Sequence, residues 1–408
     1  MKKIIVVLFI MVMLAGGAGF VILKPWAQNS NAGQTDDKQA TNNSQEQTND
    51  SSAKDKIQEK LEKMSLDEKV AQLIIPQAPR AVTLDPETEH LETAPYGGYI
   101  LMSENFRTLK KTREFVENLQ SLAKTPLIIM TDEEGGLVQR IKSITNRTAT
   151  EIPPMWQIGQ TGDTAKAKTV GKIMAEEMRT IGINVDNAPD ADVYSNPYNT
   201  VIGNRSFSSD PEMVAKMSVA LAEGLEENGV MPIYKHFPGH GNTATDSHSA
   251  LPIITLSREE LDENDLIPFK NAIENNATAI MVGHIALPNV TGNNTPASLS
   301  YELTTGLLRN ELGFKGLIVT DGLNMGALTS NYDEAEIYRL AVEAGADLLV
   351  LPTNSELALE TIKSSISEKR IDESVYRILS YKEKYLSNYQ YLDDSYFGSD
   401  EHKKALEL

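Results

Sequence analysis

Between Lys235 and His248 the chain reads KHFPGHGNTATDSH, and three of its six histidines fall there. Imidazole titrates near neutral pH, so it can donate a proton and then accept one without extreme burial. Asp246 stands two residues before His248. A carboxylate so placed can fix the ring tautomer and stabilise the imidazolium form. Positions i and i+2 point the same way only on extended backbone. Gly239, Gly241 and the small polar residues 242–245 predict a mobile loop, so the pair is expected to reach its substrate on loop closure. His236 and His240 have the spacing of a helical zinc pair, but Pro238-Gly239 between them breaks any helix. A loop-built site of two histidines and a carboxylate is the minor alternative; the expectation is no metal and no cofactor.

Asp321 directly follows the apolar run Leu317-Ile-Val-Thr320. A carboxylate at such a strand end can attack an anomeric carbon and form a covalent glycosyl-enzyme. It can also be an ordinary N-cap at a strand-to-helix junction. Beside a proton shuttle, the nucleophile is the better reading.

These groups need a frame. Short apolar runs recur at Val70–Pro76, Gly98–Met102, Pro126–Thr131, Ile183–Ala188, Val230–Lys235, Ala277–Gly283, Gly316–Thr320 and Ala346–Leu351. Helix-like stretches lie between most of them, including Leu109–Leu122, Ala165–Thr180, Pro211–Asn228, Arg258–Asn275 and Asp333–Ala344, with final helices through Ser355–Lys384. Ser65 and Glu68 fit a capping box ahead of the first of them. Apolar runs rich in β-branched residues and separated by helices predict a parallel sheet covered on both faces. Their number predicts an α/β fold with a single (β/α)₈ TIM-type barrel. An open doubly wound sheet is the alternative, but no Gly-x-Gly-x-x-Gly follows the first run. Polar residues gather where the runs end: Asp132 to Arg140, Asn187 to Asp190, Arg205, Lys235 to His248, His284 and Asp321. Barrel enzymes place their sites at those ends.

The 408 residues carry a net charge of −19, which repels phosphate backbones, so nucleic acid is not an expected partner. There is no cysteine, which removes disulfides, thiolate nucleophiles and a lipidated N-terminal cysteine. Lys2 and Lys3 precede the uncharged apolar run Ile4 to Leu23. Its length is nearer the roughly 20 residues of a bilayer span than the roughly 7–15 of a cleaved signal. Residues 1–27 are read as a signal peptide or N-terminal membrane anchor and 28–55 as a disordered polar linker; 56–393 form the catalytic domain and 394–408 a C-terminal tail. The expectation is export to the cell envelope, membrane-anchored or secreted, with membrane contact through the N-terminal segment only.

The pieces MSLDEKVAQLI, TDEEGGLVQR, NAPDADVYSNPYNTVIGNRSF, KHFPGHGNTATDSHSALP and GLIVTDGLNMGAL occur in this order. Together they resemble glycoside hydrolase family 3, and within it the bacterial β-N-acetylglucosaminidases that act on peptidoglycan fragments. The resemblance implies Asp321 as nucleophile and His248 as acid/base, with Asp246 as its dyad partner. It implies sugar-binding positions at Asp132, Arg140, Arg205, Lys235 and His236. The implied activity is retaining hydrolysis of terminal N-acetylglucosamine from saccharides or muropeptides, by a monomer. A phosphorylase and a catalytically silent muropeptide-binding barrel are the competing readings. The intact Asp321, Asp246 and His248 count against the silent binder.

Overall fold

The structure is a computed structural model that describes residues 56–79, 96–144, 149–243 and 246–405. The leader and the linker, 1–27 and 28–55, lie outside the described residues. The first capped helix, Leu66–Gln72, starts as the sequence implies: the Ser65 side chain accepts the Glu68 N–H and Glu68 reaches back to the Ser65 backbone. That helix claims Val70 to Gln72, which the apolar pattern assigned to the first strand; β1 is only Ile74–Ile75. Periodicity alone cannot divide a short apolar run between helix and strand.

The other strands fall inside their expected runs, except β7, which runs on to Phe237. They are β2 Gly98–Ile100, β3 Ile128–Thr131, β6 Val185–Asp186, β7 Met231–Phe237, β8 Ala279–Val282, β9 Leu317–Thr320 and β10 Leu349–Val350. A hairpin of β4 Glu133–Gly135 and β5 Val138–Gln139 follows β3, and the sequence did not announce it. Six strands pair in parallel in the order β2-β3-β6-β7-β8-β9, and β1 pairs in parallel with β10. Single bridges join the two sheets, Gln77 to Ile100 on one side and Val319 to Leu348 on the other. The expected (β/α)₈ barrel is therefore seen as a curled parallel sheet whose ladder is continuous over six strands. The chain order never reverses, which a doubly wound sheet would require.

Most helices match their expected spans. Asp163 caps Thr164–Ile181, which ends on Gly182 at φ 97°, a left-handed conformation that favours glycine. Asp210 caps Pro211–Glu227, with Pro211 in the first turn, where a missing N–H costs nothing. The stretch expected as one helix over 258–275 is two, Arg258–Glu263 and Ile267–Glu274. Asn264 leaves helical geometry at ψ −79°, and Pro268 opens the second helix. Residues 302–311 wind as a π-helix, for which the sequence gives no signal. One apolar cluster runs from Ile57 to Leu386 and includes residues of the central strands. The expected tail is docked: Tyr396 donates to Glu176 at 2.7 Å, and His402 pairs with Glu177 at 2.8 Å.

Candidate active site

The C-terminal ends of β3, β6, β7 and β9 surround a pocket of about 140 Å³. Asp132, Arg140, Arg205, Lys235, His236, His248 and Asp321 all line it, together with Glu134, Val138, Val201, His240 and Ser247. Of the expected residues only Asp246 stands back, behind His248.

The floor is a network of buried charges. Glu134 accepts from Arg205 Nε and Nη2 at 2.8 and 2.9 Å. It also pairs with Lys235 Nζ at 2.5 Å. Lys235 reaches Asp132 at 3.3 Å, and Arg140 approaches the other Asp132 oxygen at 3.4 Å. Burial opposes the charge of Glu134, but Arg205 and then Lys235 outweigh it and hold the carboxyl far below the usual range. Burial likewise opposes the charges on Arg205 and Lys235, and Glu134 is the strongest group that raises each. Two cations and their carboxylates so arranged offer both donors and acceptors to a neutral, hydroxyl-rich ligand.

Glu134 is the main residue that sequence reasoning missed. The pair Glu133-Glu134 looks equivalent on paper. In the hairpin, successive side chains face opposite ways. Glu134 enters the pocket, while Glu133 turns inward and accepts the Ile141 N–H at 2.9 Å. Burial there pushes the Glu133 carboxyl up to about 8.

His236 gives its Nδ1 to Asp192 at 2.7 Å. Burial works against its imidazolium, but Asp192 outweighs burial and raises the pKa above the usual value. Asp192 also accepts the backbone N–H groups of His236 and His240, at 3.3 and 2.6 Å. One oxygen of Asp190, one of Asp192 and a ring nitrogen of His236 lie within 4.8 Å of one another, a spacing that could hold a metal ion. The sequence expected no such group. Asp192 holds His236, and Asp190 accepts the Asp192 N–H at 3.0 Å through one oxygen, while its other oxygen, 3.5 Å from Arg205, is buried without a hydrogen-bond partner among the described residues. Burial and the neighbouring Asp192 push Asp190 up to about 7.

Asp321 is partly buried at the end of β9, and its Oδ1 accepts the Gly322 N–H at 2.7 Å. Burial opposes its charge, but His236, His284, the Gly322 N–H and Lys235 outweigh burial and hold it down at about 2. An ionised carboxylate at neutral pH is the form a nucleophile needs. His284 itself is not free for proton transfer: Ser298 and the Gly322 carbonyl occupy its two nitrogens at 2.7 and 2.9 Å.

Asp246 and His248 form the expected pair. The His248 ring meets Asp246 Oδ1 at 2.8 Å, and the same oxygen accepts the His248 N–H at 2.9 Å. Their side chains are 69% and 47% exposed for His248 and Asp246 respectively, in contrast to the floor. Gly239 and Gly241, read as a sign of mobility, serve close packing instead. A Cβ on Gly241 would stand 1.7 Å from the Val193 carbonyl oxygen.

Residues 65–381 match the Glycosyl hydrolase family 3 N terminal domain. β-Hexosaminidase A of Pseudoalteromonas piscicida is 36% identical over 291 residues, 66% of this chain but 48% of that protein, so the chain spans about half the length of this relative. β-Hexosaminidase LpqI of Mycobacterium tuberculosis is 34% identical over 270 residues, 63% of this chain and 68% of that one. The solved structure of a glycoside hydrolase family 3 β-N-acetylglucosaminidase from Paenibacillus sp. is similar at a TM-score of 0.78 and 34% identity, over 84% of this chain and 68% of that chain. With the family domain matched over most of its length, the chain belongs to glycosyl hydrolase family 3.

Proposed function

We propose that the protein is a retaining exo-β-N-acetylglucosaminidase that removes terminal N-acetylglucosamine, with peptidoglycan-derived fragments among its substrates. The observation that carries this is the small pocket lined at once by Asp321, His248 and the charged floor.

In the first step the Asp321 carboxylate attacks the anomeric carbon. The bond to the leaving oxygen breaks, and protonated His248 gives that oxygen its proton. In the second step neutral His248 takes a proton from water, and the resulting hydroxide displaces Asp321 from the sugar. Asp246 holds the other ring nitrogen and stabilises the imidazolium. A neutral imidazole adds no negative charge beside the glycosyl-enzyme, which is why phosphate could compete with water. Turnover of a chromogenic N-acetyl-β-glucosaminide, with free N-acetylglucosamine as product at every phosphate concentration, is the expected result. A sugar phosphate as main product makes the protein a phosphorylase, and no turnover makes it a binder.

For location, the reading is export on the N-terminal segment, supported by Lys2, Lys3 and the run Ile4 to Leu23. Full-length protein found soluble in the cytoplasm on fractionation contradicts it.

A further inference from the structure

His240 and Ser247 line the pocket, yet the chemistry above uses neither. Both are buried, although Ser247 sits between the two exposed members of the dyad. Its hydroxyl meets His240 Nε2 at 3.1 Å. The other nitrogen of that ring meets Thr243 Oγ1 at 2.7 Å. Asn199 in turn fixes this turn by donating to the His240 carbonyl at 2.8 Å and to Thr243 Oγ1 at 3.3 Å. The ring is therefore held on both sides and cannot swing away from Ser247.

Backbone bonds tie Ser247 and His248 to a second segment. Gly326 N–H donates to the His248 carbonyl and Ala327 N–H to the Ser247 carbonyl, each at 3.1 Å. Gly326 opens the short helix Gly326–Thr329 that follows Asp321. A Cβ on it would lie 2.7 Å from the His248 carbonyl oxygen and 3.0 Å from that of Ser249. Real Cβ contacts are not that close to backbone oxygen, so only glycine lets the two segments meet this way.

We infer that His240, Ser247 and Gly326 form a latch that seats the acid/base loop against the nucleophile's own segment. They are positioning residues: they touch no reacting atom, and they set where His248 stands relative to Asp321. Exposed residues such as Asp246 and His248 lack the packing that fixes buried groups, so their place must come from such anchors. The inference rests on His248 being the acid/base.

The test compares kcat/KM, which reports the steps up to the glycosyl-enzyme, on two leaving groups. N,N′-diacetylchitobiose has a poor leaving group that needs its proton. A dinitrophenyl N-acetyl-β-glucosaminide has an activated one that does not. Gly326→Ala and Ser247→Ala are expected to cost about 10²-fold on chitobiose, the usual loss for a reacting group displaced by ~1 Å. On the dinitrophenyl substrate the loss is expected to stay below about 5-fold, since little protonation is required. His240→Gln, which can still present a polar atom to Ser247, retains more chitobiose activity than His240→Leu. Equal losses on both substrates in Gly326→Ala and Ser247→Ala overturn the latch. Ser247→Ala only removes a hydroxyl, so it decides the matter if Gly326→Ala does not fold. His248→Ala is measured beside them. If it discriminates between the substrates and the latch variants do not, the latch alone falls; if it does not discriminate either, the acid/base assignment falls with it.

Discussion

The floor of the pocket and the dyad at its mouth solve different problems with the same kinds of side chain. On the floor, Glu134, Arg205 and Lys235 keep 2%, 13% and 4% of their side-chain surface. Charges so deep cost several kcal/mol each to desolvate and persist only when paired. At the mouth, Asp246 and His248 stay largely in water, where an ion pair is worth roughly 0–1 kcal/mol. The floor therefore buys rigidity and ties substrate binding to folding, while the dyad can change protonation state without threatening the fold. Substitutions in the two regions should separate accordingly.

The largest effect belongs to neither region but to the carboxylate between them. Asp321→Ala is expected to remove turnover by 10⁴-fold or more, on the order of what loss of a nucleophile costs elsewhere. Thermal unfolding should shift far less than turnover, because among the described residues Asp321 makes no direct salt bridge and meets the neighbouring cations only through space. Activity close to wild type would place the nucleophile elsewhere.

His248→Ala comes next. General acid–base assistance is worth roughly 10²–10⁴-fold, and that loss is expected on a sugar leaving group. Stability should stay within about 0.5 kcal/mol, as for a typical surface change. Azide, which needs no base, is expected to restore turnover on an activated substrate. A variant that unfolds easily, or that azide leaves inert, contradicts a solvent-exposed acid/base.

Glu134→Gln should invert this pattern. It leaves Arg205 and Lys235 buried with their shared carboxylate neutralised, which costs about 3 kcal/mol or more of stability. The folded fraction is expected to show a raised KM with a smaller change in kcat. Unchanged unfolding in denaturant would show that the floor charges are not what fixes this region.

The last effect, one that reads stability alone, is a pH dependence on the inward side of the hairpin. Glu133 is held protonated up to about pH 8, against an ordinary value of 4.5. Between those values the folded protein keeps a proton that the unfolded chain has lost, so stability falls as pH rises through this window. Glu133→Gln, which cannot ionise, should flatten that decline when unfolding is followed from pH 5 to 8. An equally steep decline in the variant would mean that the slope arises elsewhere, with Asp190 the first alternative.

The legible parts of this molecule were those written locally. Asp321 stood out because a carboxylate directly followed an apolar run, and the dyad because its partners are two residues apart. The capping box of Ser65 and Glu68 is local too. What escaped the sequence depends on distant contacts. Glu133 and Glu134 differ only by the face of a hairpin that closes against the fold. Ser247 and His240 meet through a tertiary contact, and Gly326 reads as an ordinary turn glycine until the His248 carbonyl is seen above it. Most strands ran shorter than their apolar runs while β7 ran past its own, and Asn264 broke a helix whose periodicity was continuous across it.

The central claim is a covalent double displacement on Asp321, and trapping tests it most directly. An N-acetylglucosaminide with a good leaving group, fluorinated so that deglycosylation is slow, is incubated with the enzyme and the digest is read by mass spectrometry. The expected result is one added glycosyl unit on the peptide that carries Asp321, and none on Asp321→Ala. A label on another residue, or an active enzyme that releases product with inverted anomeric configuration and never labels, would contradict it.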